Sequence, residues 1–172
     1  MPDSHNAPHP SEHDRASAFG TQLVAVHDEL RDHLARLLAA FDAHESGDEL
    51  TASLRTHCLA FCTVLTRHHA SEDDVAFPAL ASQVPALAPV LDELAHDHGL
   101  IAHLVGGIEH RVATAATEDE PDARARLRSE VDGLASVLES HLHWEERRIV
   151  EALDALDTGV SVAAMFGWEP RD

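Results

Sequence analysis

The sequence predicts an all-α protein: an up-down-up-down antiparallel four-helix bundle with a disordered N-terminal tail and a short C-terminal cap. Three observations predict it. Apolar residues recur at alternating steps of three and four through four long stretches, the spacing that lines one face of a helix. No convincing strand pattern, with its period of two, competes with them. The stretches are separated by clusters of Gly, Pro and acidic residues at 44–50 (HESGDEL), 83–89 (QVPALAP) and 117–123 (TEDEPDA). Such clusters stop and start helices, and short connections between long helices favour antiparallel neighbours.

The elements follow in chain order. Residues 1–15 are Pro-rich without apolar periodicity, which predicts a disordered tail in which His5, His9 and His13 are incidental. The bundle is expected over 16–157, one domain with a single core for a chain of 172 residues. Its first helix has the seam Leu23, His27, Leu30, Leu34, Leu37, Phe41. The second reads Leu54, Cys58, Phe61, Leu65, His68, Glu72, Val75, Ala79. The third reads Leu91, Leu94, His98, Ile101, Val105, Ile108. The fourth reads Leu127, Val131, Leu134, Leu138, His141, Glu145, then Arg148 or Ile149 as the seam drifts. The remaining 158–172, with Val, Met, Phe and Trp, is expected to fold onto the bundle as a cap.

Each seam is interrupted by one histidine, and the second and fourth also by a glutamate four residues further on. His69 and Asp73 lie about 100° around from His68 and Glu72 and are expected toward solvent. His96, His103 and His110 form a stripe at the outward position of the third helix. Counting residues from each turn brings the seam groups to one level of the bundle within roughly 3–9 Å. Four imidazoles and two carboxylates buried together without partners would cost several kcal/mol each. They must pair with one another or surround a cation, and a two-metal site balances the charge better than His–Glu ion pairs. The candidate metal ligands are His27, His68, Glu72, His98, His141 and Glu145. Nitrogen and carboxylate donors favour Fe, Mn or Zn over Ca and Mg, and seam donors without sulfur disfavour a structural zinc knot. Six protein ligands suit two octahedral ions bridged by Glu72 and Glu145.

Composition narrows the function. With 12 Lys+Arg against 31 Asp+Glu the formal charge is −19, which argues against nucleic acid and anionic membrane as partners. Neither a spanning apolar run nor a signal-peptide pattern is present, so the expected compartment is the cytoplasm. The absence of tyrosine excludes a tyrosyl radical or phenolate ligand. Cys58 and Cys62 share a helix and are expected reduced and buried. His57 is about 16 Å along the axis from His68, too far to share its ions. Trp144, beside Glu145, either walls the pocket or fills the core.

On these residues the sequence resembles a hemerythrin-like protein of the HHE cation-binding type. The order is His27, HHASE at 68–72, His98 and HLHWE at 141–145, supported by FP at 77–78 and EERRI at 145–149. The resemblance covers roughly residues 20–155. It implies two Fe ions, oxo- or hydroxo-bridged, with Zn or Mn as substitutes on purification, reached by a small diatomic or peroxide ligand. It also implies two departures. Oxygen carriers place a second histidine four residues after the first on the third helix, where this chain has Ala102, so one iron is expected to lack a histidine. The carriers' last carboxylate would fall at Glu146, whereas seam geometry prefers Glu145. The departure at Ala102 shifts the expectation from reversible O2 carriage toward catalase-like peroxide disproportionation, O2, NO or redox sensing, or iron storage and handling. A zinc that merely ties the helices together is the structural alternative.

Overall fold

A computed structural model describes residues 19–43, 51–114 and 122–168. The predicted tail at 1–15, the connection at 44–50 and most of that at 117–123 lie outside the described residues. Among those described every regular element is a helix. Helix α1 spans Phe19–Ala43 and α2 spans Ala52–Ser71, which runs on through a π-helical turn at Glu72–Ala76 into α3, Phe77–Gln83. A 3-10 turn at Pro85–Leu87 leads into α4, Ala88–Thr114, followed by α5, Ala123–Asp154, and the short α6, Val162–Phe166.

Local chemistry sets the ends. Thr51 caps α2 by accepting from the Leu54 N–H at 3.2 Å, satisfying a donor that the first turn leaves without a partner. Gly20 donates its N–H to Asp154 Oδ1 at 2.9 Å, and a Cβ there would meet the Val150 carbonyl at 2.5 Å. Glycine is therefore what lets the start of α1 close onto the end of α5. At the other end of the same pair, Arg124 of α5 donates to the Phe41 carbonyl of α1. These two helices thus lie with their chain directions opposed.

The long helices meet around a ring, with α1 against α2 and α5, and α4 against α2 and α5. Their seams bury the leucines, valines and phenylalanines anticipated from the period, and Ile149 rather than Arg148 closes the seam of α5. The C-terminal segment lays Met165, Phe166 and Trp168 onto this core. Gly167 ends α6 with φ 61°, and a Cβ on it would meet Ser71 Oγ at 2.6 Å and the Arg67 carbonyl at 2.8 Å, so both backbone and space demand glycine.

One stretch departs from the expected register. The seam of the second helix was anticipated to continue through Val75 and Ala79, but the residues buried after Glu72 are Ala76, Phe77 and Leu80. The Phe77 N–H bonds the Glu72 carbonyl, a five-residue step that adds one residue to the turn and moves the inward face one position along. Pro78 supplies the cause: it has no N–H to donate and its ring crowds the carbonyl four residues back.

No helix among the described residues is long and apolar enough to cross a membrane. Cys58 and Cys62 are free and buried, and burial raises their thiols to about 11 and about 12.

Candidate metal centre

The seam positions of four helices meet in one buried layer. His27 of α1, His68 of α2, Glu72 at the head of the π turn and Glu145 of α5 are 0% exposed, with His98 of α4 at 3% and His141 of α5 at 4%. The six residues anticipated from sequence are thus brought together. A seventh joins them. His69, expected toward solvent, is 5% exposed and stacks on His98 with ring centroids 4.1 Å apart. The reason is the width of the inward stripe, which exceeds 100° on a helix held between two neighbours. His68 faces α1, edge-on to His27 at 5.2 Å. His69, about 100° around, faces α4 and reaches His141 of α5 at 5.2 Å. Cys62, seven residues before His69, is buried too; that second row of α2 was the available sign in the sequence.

The donor atoms fall into overlapping groups. Ligand atoms of His27, His68 and Glu72 lie within 4.8 Å of one another, as do those of His69, His98 and His141, and those of Glu72, His98 and Glu145. Glu72 and Glu145 therefore stand between two histidine sets. Ala102 is exposed, yet three histidine nitrogens converge on the His98 side because His69 occupies the place expected to lack one.

Ring orientation is set from outside the layer. His27 Nδ1 meets Glu146 Oε1 at 2.8 Å, and Arg31 holds the same oxygen at 2.9 Å. His68 Nδ1 meets the Phe166 carbonyl at 3.0 Å, which gives the C-terminal segment a share in the site. His98 Nδ1 meets Asp73 Oδ1 at 2.8 Å, and its ring is also stacked on Phe77 at 5.3 Å. Asp73 is half-buried rather than free in solvent, and Glu146 lies behind His27 rather than inside the layer. The carboxylate within it is Glu145. His141 Nδ1 stands 3.7 Å from Asp97 Oδ2, beyond hydrogen-bond length.

The tethers on His27, His68 and His98 turn their Nε2 atoms inward, where no hydrogen bond from the protein meets them. Nε2 of His27, His68, His69, His98 and His141 and both oxygens of Glu72 and Glu145 are buried without a hydrogen bond. His68 Nε2 and Glu72 Oε1 are 3.2 Å apart but misaligned for a hydrogen bond, as when both lone pairs aim at a common point. Burial lowers His68 and His69 well below the ordinary histidine value, reinforced by the neighbouring imidazoles. Burial likewise takes His141 to about 3, so these rings are neutral and their nitrogens carry lone pairs. Burial, then the facing carboxylates, raises Glu72 well above its usual range. Burial and then Glu146 push Glu145 up to about 8. Outside the layer, burial works to raise Glu146, but its hydrogen bonds from His27 and Arg31 prevail and lower it. Orphaned buried donors at this density are a cost that a cation removes, and a set of imidazole and carboxylate lone pairs matches Fe, Mn or Zn.

Among the described residues, no other histidine enters the layer. His57, His96, His103 and His110 are exposed. Trp144 is half-buried on α5, with Arg148 stacked on its ring at 5.5 Å.

Comparison with known proteins places the chain. Residues 20–153 match the family model of the hemerythrin HHE cation binding domain. No curated protein and no solved structure matches the chain.

Proposed function

Because this chain belongs to the hemerythrin HHE cation-binding family, we propose that the buried layer holds two iron ions within an up-down-up-down four-helix bundle. His27 and His68 ligate one ion, and His69, His98 and His141 the other. Glu72 and Glu145, which stand between the two histidine sets, would be shared by both. The observation that carries this reading is the set of inward Nε2 and carboxylate atoms without a protein partner. Seven ligands are too many for one tetrahedral zinc, and two six-coordinate ions with so few protein donors keep positions for small ligands.

When bound, the irons supply one-electron redox chemistry and vacant positions for a small oxygen species or nitric oxide. The chain supplies the rest. Glu146, Asp73 and the Phe166 carbonyl fix the ring planes of His27, His98 and His68, and such partners raise the basicity of the nitrogen facing the metal. Phe77 and the flanking leucines exclude bulk water. No acid or base inside the layer is left over for proton transfer, so Glu146, Asp73 and Asp97 at its edge are the carboxylates placed to relay one.

The activity that fits best is reaction with hydrogen peroxide, or sensing of O2, NO or redox state at the same centre. Iron storage and reversible O2 binding are the alternative uses of the same ligands. Iron-replete protein is expected to show visible bands that change on adding peroxide, with oxygen gas released if peroxide is disproportionated. Spectral change without oxygen release supports sensing, and a colourless zinc protein defeats both.

A further inference from the structure

Between α4 and α5 lies a surface cleft of about 530 Å³, walled by Leu100, Val137 and Trp144 and including Asp97, Ser140 and His141. Two of its walls are unusual for a surface. Leu100 is 53% exposed and Val137 43% exposed, large apolar side chains facing water on neighbouring helices. A third lining residue belongs to the buried layer: His141 is 4% exposed, and neither of its ring nitrogens has a hydrogen-bond partner. The cleft's floor is therefore a candidate metal ligand.

His141 is also a ring without an outer hydrogen bond. The outer nitrogens of His27, His68 and His98 are tied at 2.8, 3.0 and 2.8 Å, whereas that of His141 stands 3.7 Å from Asp97. A ring with no tether turns more freely than one locked by a hydrogen bond. A second cleft, lined by residues such as His33, Arg36 and His57, includes no member of the layer.

We propose that the α4–α5 cleft is the route by which small uncharged ligands reach the layer, entering between Leu100, Val137 and Trp144 and passing the His141 ring. Apolar walls retain neutral diatomic molecules better than ions, and a formal charge of −19 disfavours anions at the entrance. The route rests on the metal reading above. It adds which face the ligand crosses and which kind of ligand is admitted.

Val137→Trp tests it by filling the mouth from an exposed position that is neither a ligand nor part of the core. Nitric oxide is mixed rapidly with the anaerobic ferrous protein and followed by visible absorbance. The expected result is a rate at least tenfold lower in Val137→Trp, with the same final spectrum and the same iron per chain. Leu59→Trp, at an exposed apolar position on α2, leaves the rate unchanged. Crystals of metal-free protein under xenon pressure provide a reading independent of iron, with a xenon atom beside Trp144 in the wild type and none in Val137→Trp. Equal nitric oxide rates in wild type and Val137→Trp overturn the route, as does xenon found only elsewhere. A wild-type chain that takes up no iron overturns the functional reading and the route with it, and its metal content identifies that case before any rate is measured.

Discussion

Two layers of the same helix seams obey opposite rules. In α5 the seam runs through Leu127, Val131, Leu134 and Leu138 and then, without a break in period, through His141 and Glu145. Leu134 and Glu145 are both 0% exposed. The leucine layers are complete in themselves, since burial of apolar surface and close packing stabilise them with no further partner. The histidine–glutamate layer is incomplete, because its inward atoms make no hydrogen bond within the protein. The bundle can carry one such layer because leucine layers on either side supply the stability that this one consumes.

The sharpest way to break the comparison is to remove one member of each layer. Glu145→Ala takes away a buried counter-charge, a loss of about 3–5 kcal/mol when a cation is its partner. Metal content is expected to fall by at least one ion per chain, while metal-free Glu145→Ala unfolds at or above the temperature of the metal-free parent. Leu134→Ala should do the reverse, retaining its metal but losing about 2–5 kcal/mol of stability in urea titration. If both variants lose stability alike without metal, the two layers do not differ in kind.

Removing the ions from the unaltered protein is the next smaller effect. Each free cation about a hundredfold above its Kd contributes ~2.7 kcal/mol, which in a chain of this size is roughly 5–10 °C in Tm for each ion removed. Calorimetry before and after chelation should show that drop, reversed by adding iron. A Tm indifferent to chelation would mean that the layer is satisfied some other way.

A smaller change separates the group inside the layer from the one behind it. Glu146→Gln keeps the shape but weakens the hold on His27, and loss of such an outer partner costs about 10–100-fold in metal affinity. Competition with a chromogenic chelator would measure it, and an effect as large as that of Glu145→Ala would mean that Glu146 is itself a ligand.

The smallest effect lies in the apolar layers. Raising Cys58 from 9 to about 11 lowers its thiolate population about a hundredfold near neutral pH, so a thiol reagent should label it only as the protein unfolds. The folded thiols keep protons that the unfolded ones release. Stability is therefore whole below pH 9 and declines as pH rises toward 11, which chemical denaturation at a series of pH values would register.

The sequence carried the helices and six members of the layer for one reason: a polar residue on an apolar seam stands out wherever the helix is regular. Regularity is also where that reasoning ended. It assumed 3.6 residues per turn through Glu72, and Pro78 breaks that assumption, so Ala76, Phe77 and Leu80 are buried in place of Val75 and Ala79. It treated the inward face as one row and so sent His69 outward, although Cys62 marked a second row. The tethers were less legible still. The Phe166 carbonyl that orients His68 comes from 98 residues away, and no local pattern points to it. Asp73 looked like a surface acid and Glu146 like an alternative ligand, because the role of each depends on which ring lies opposite.

The most direct measurement of the central claim is metal per chain in protein purified under iron-replete conditions, taken with its visible spectrum. The account predicts two irons per chain and bands that change on adding peroxide. One zinc or no metal at all, with helicity intact, would contradict it and leave the layer as a structural feature.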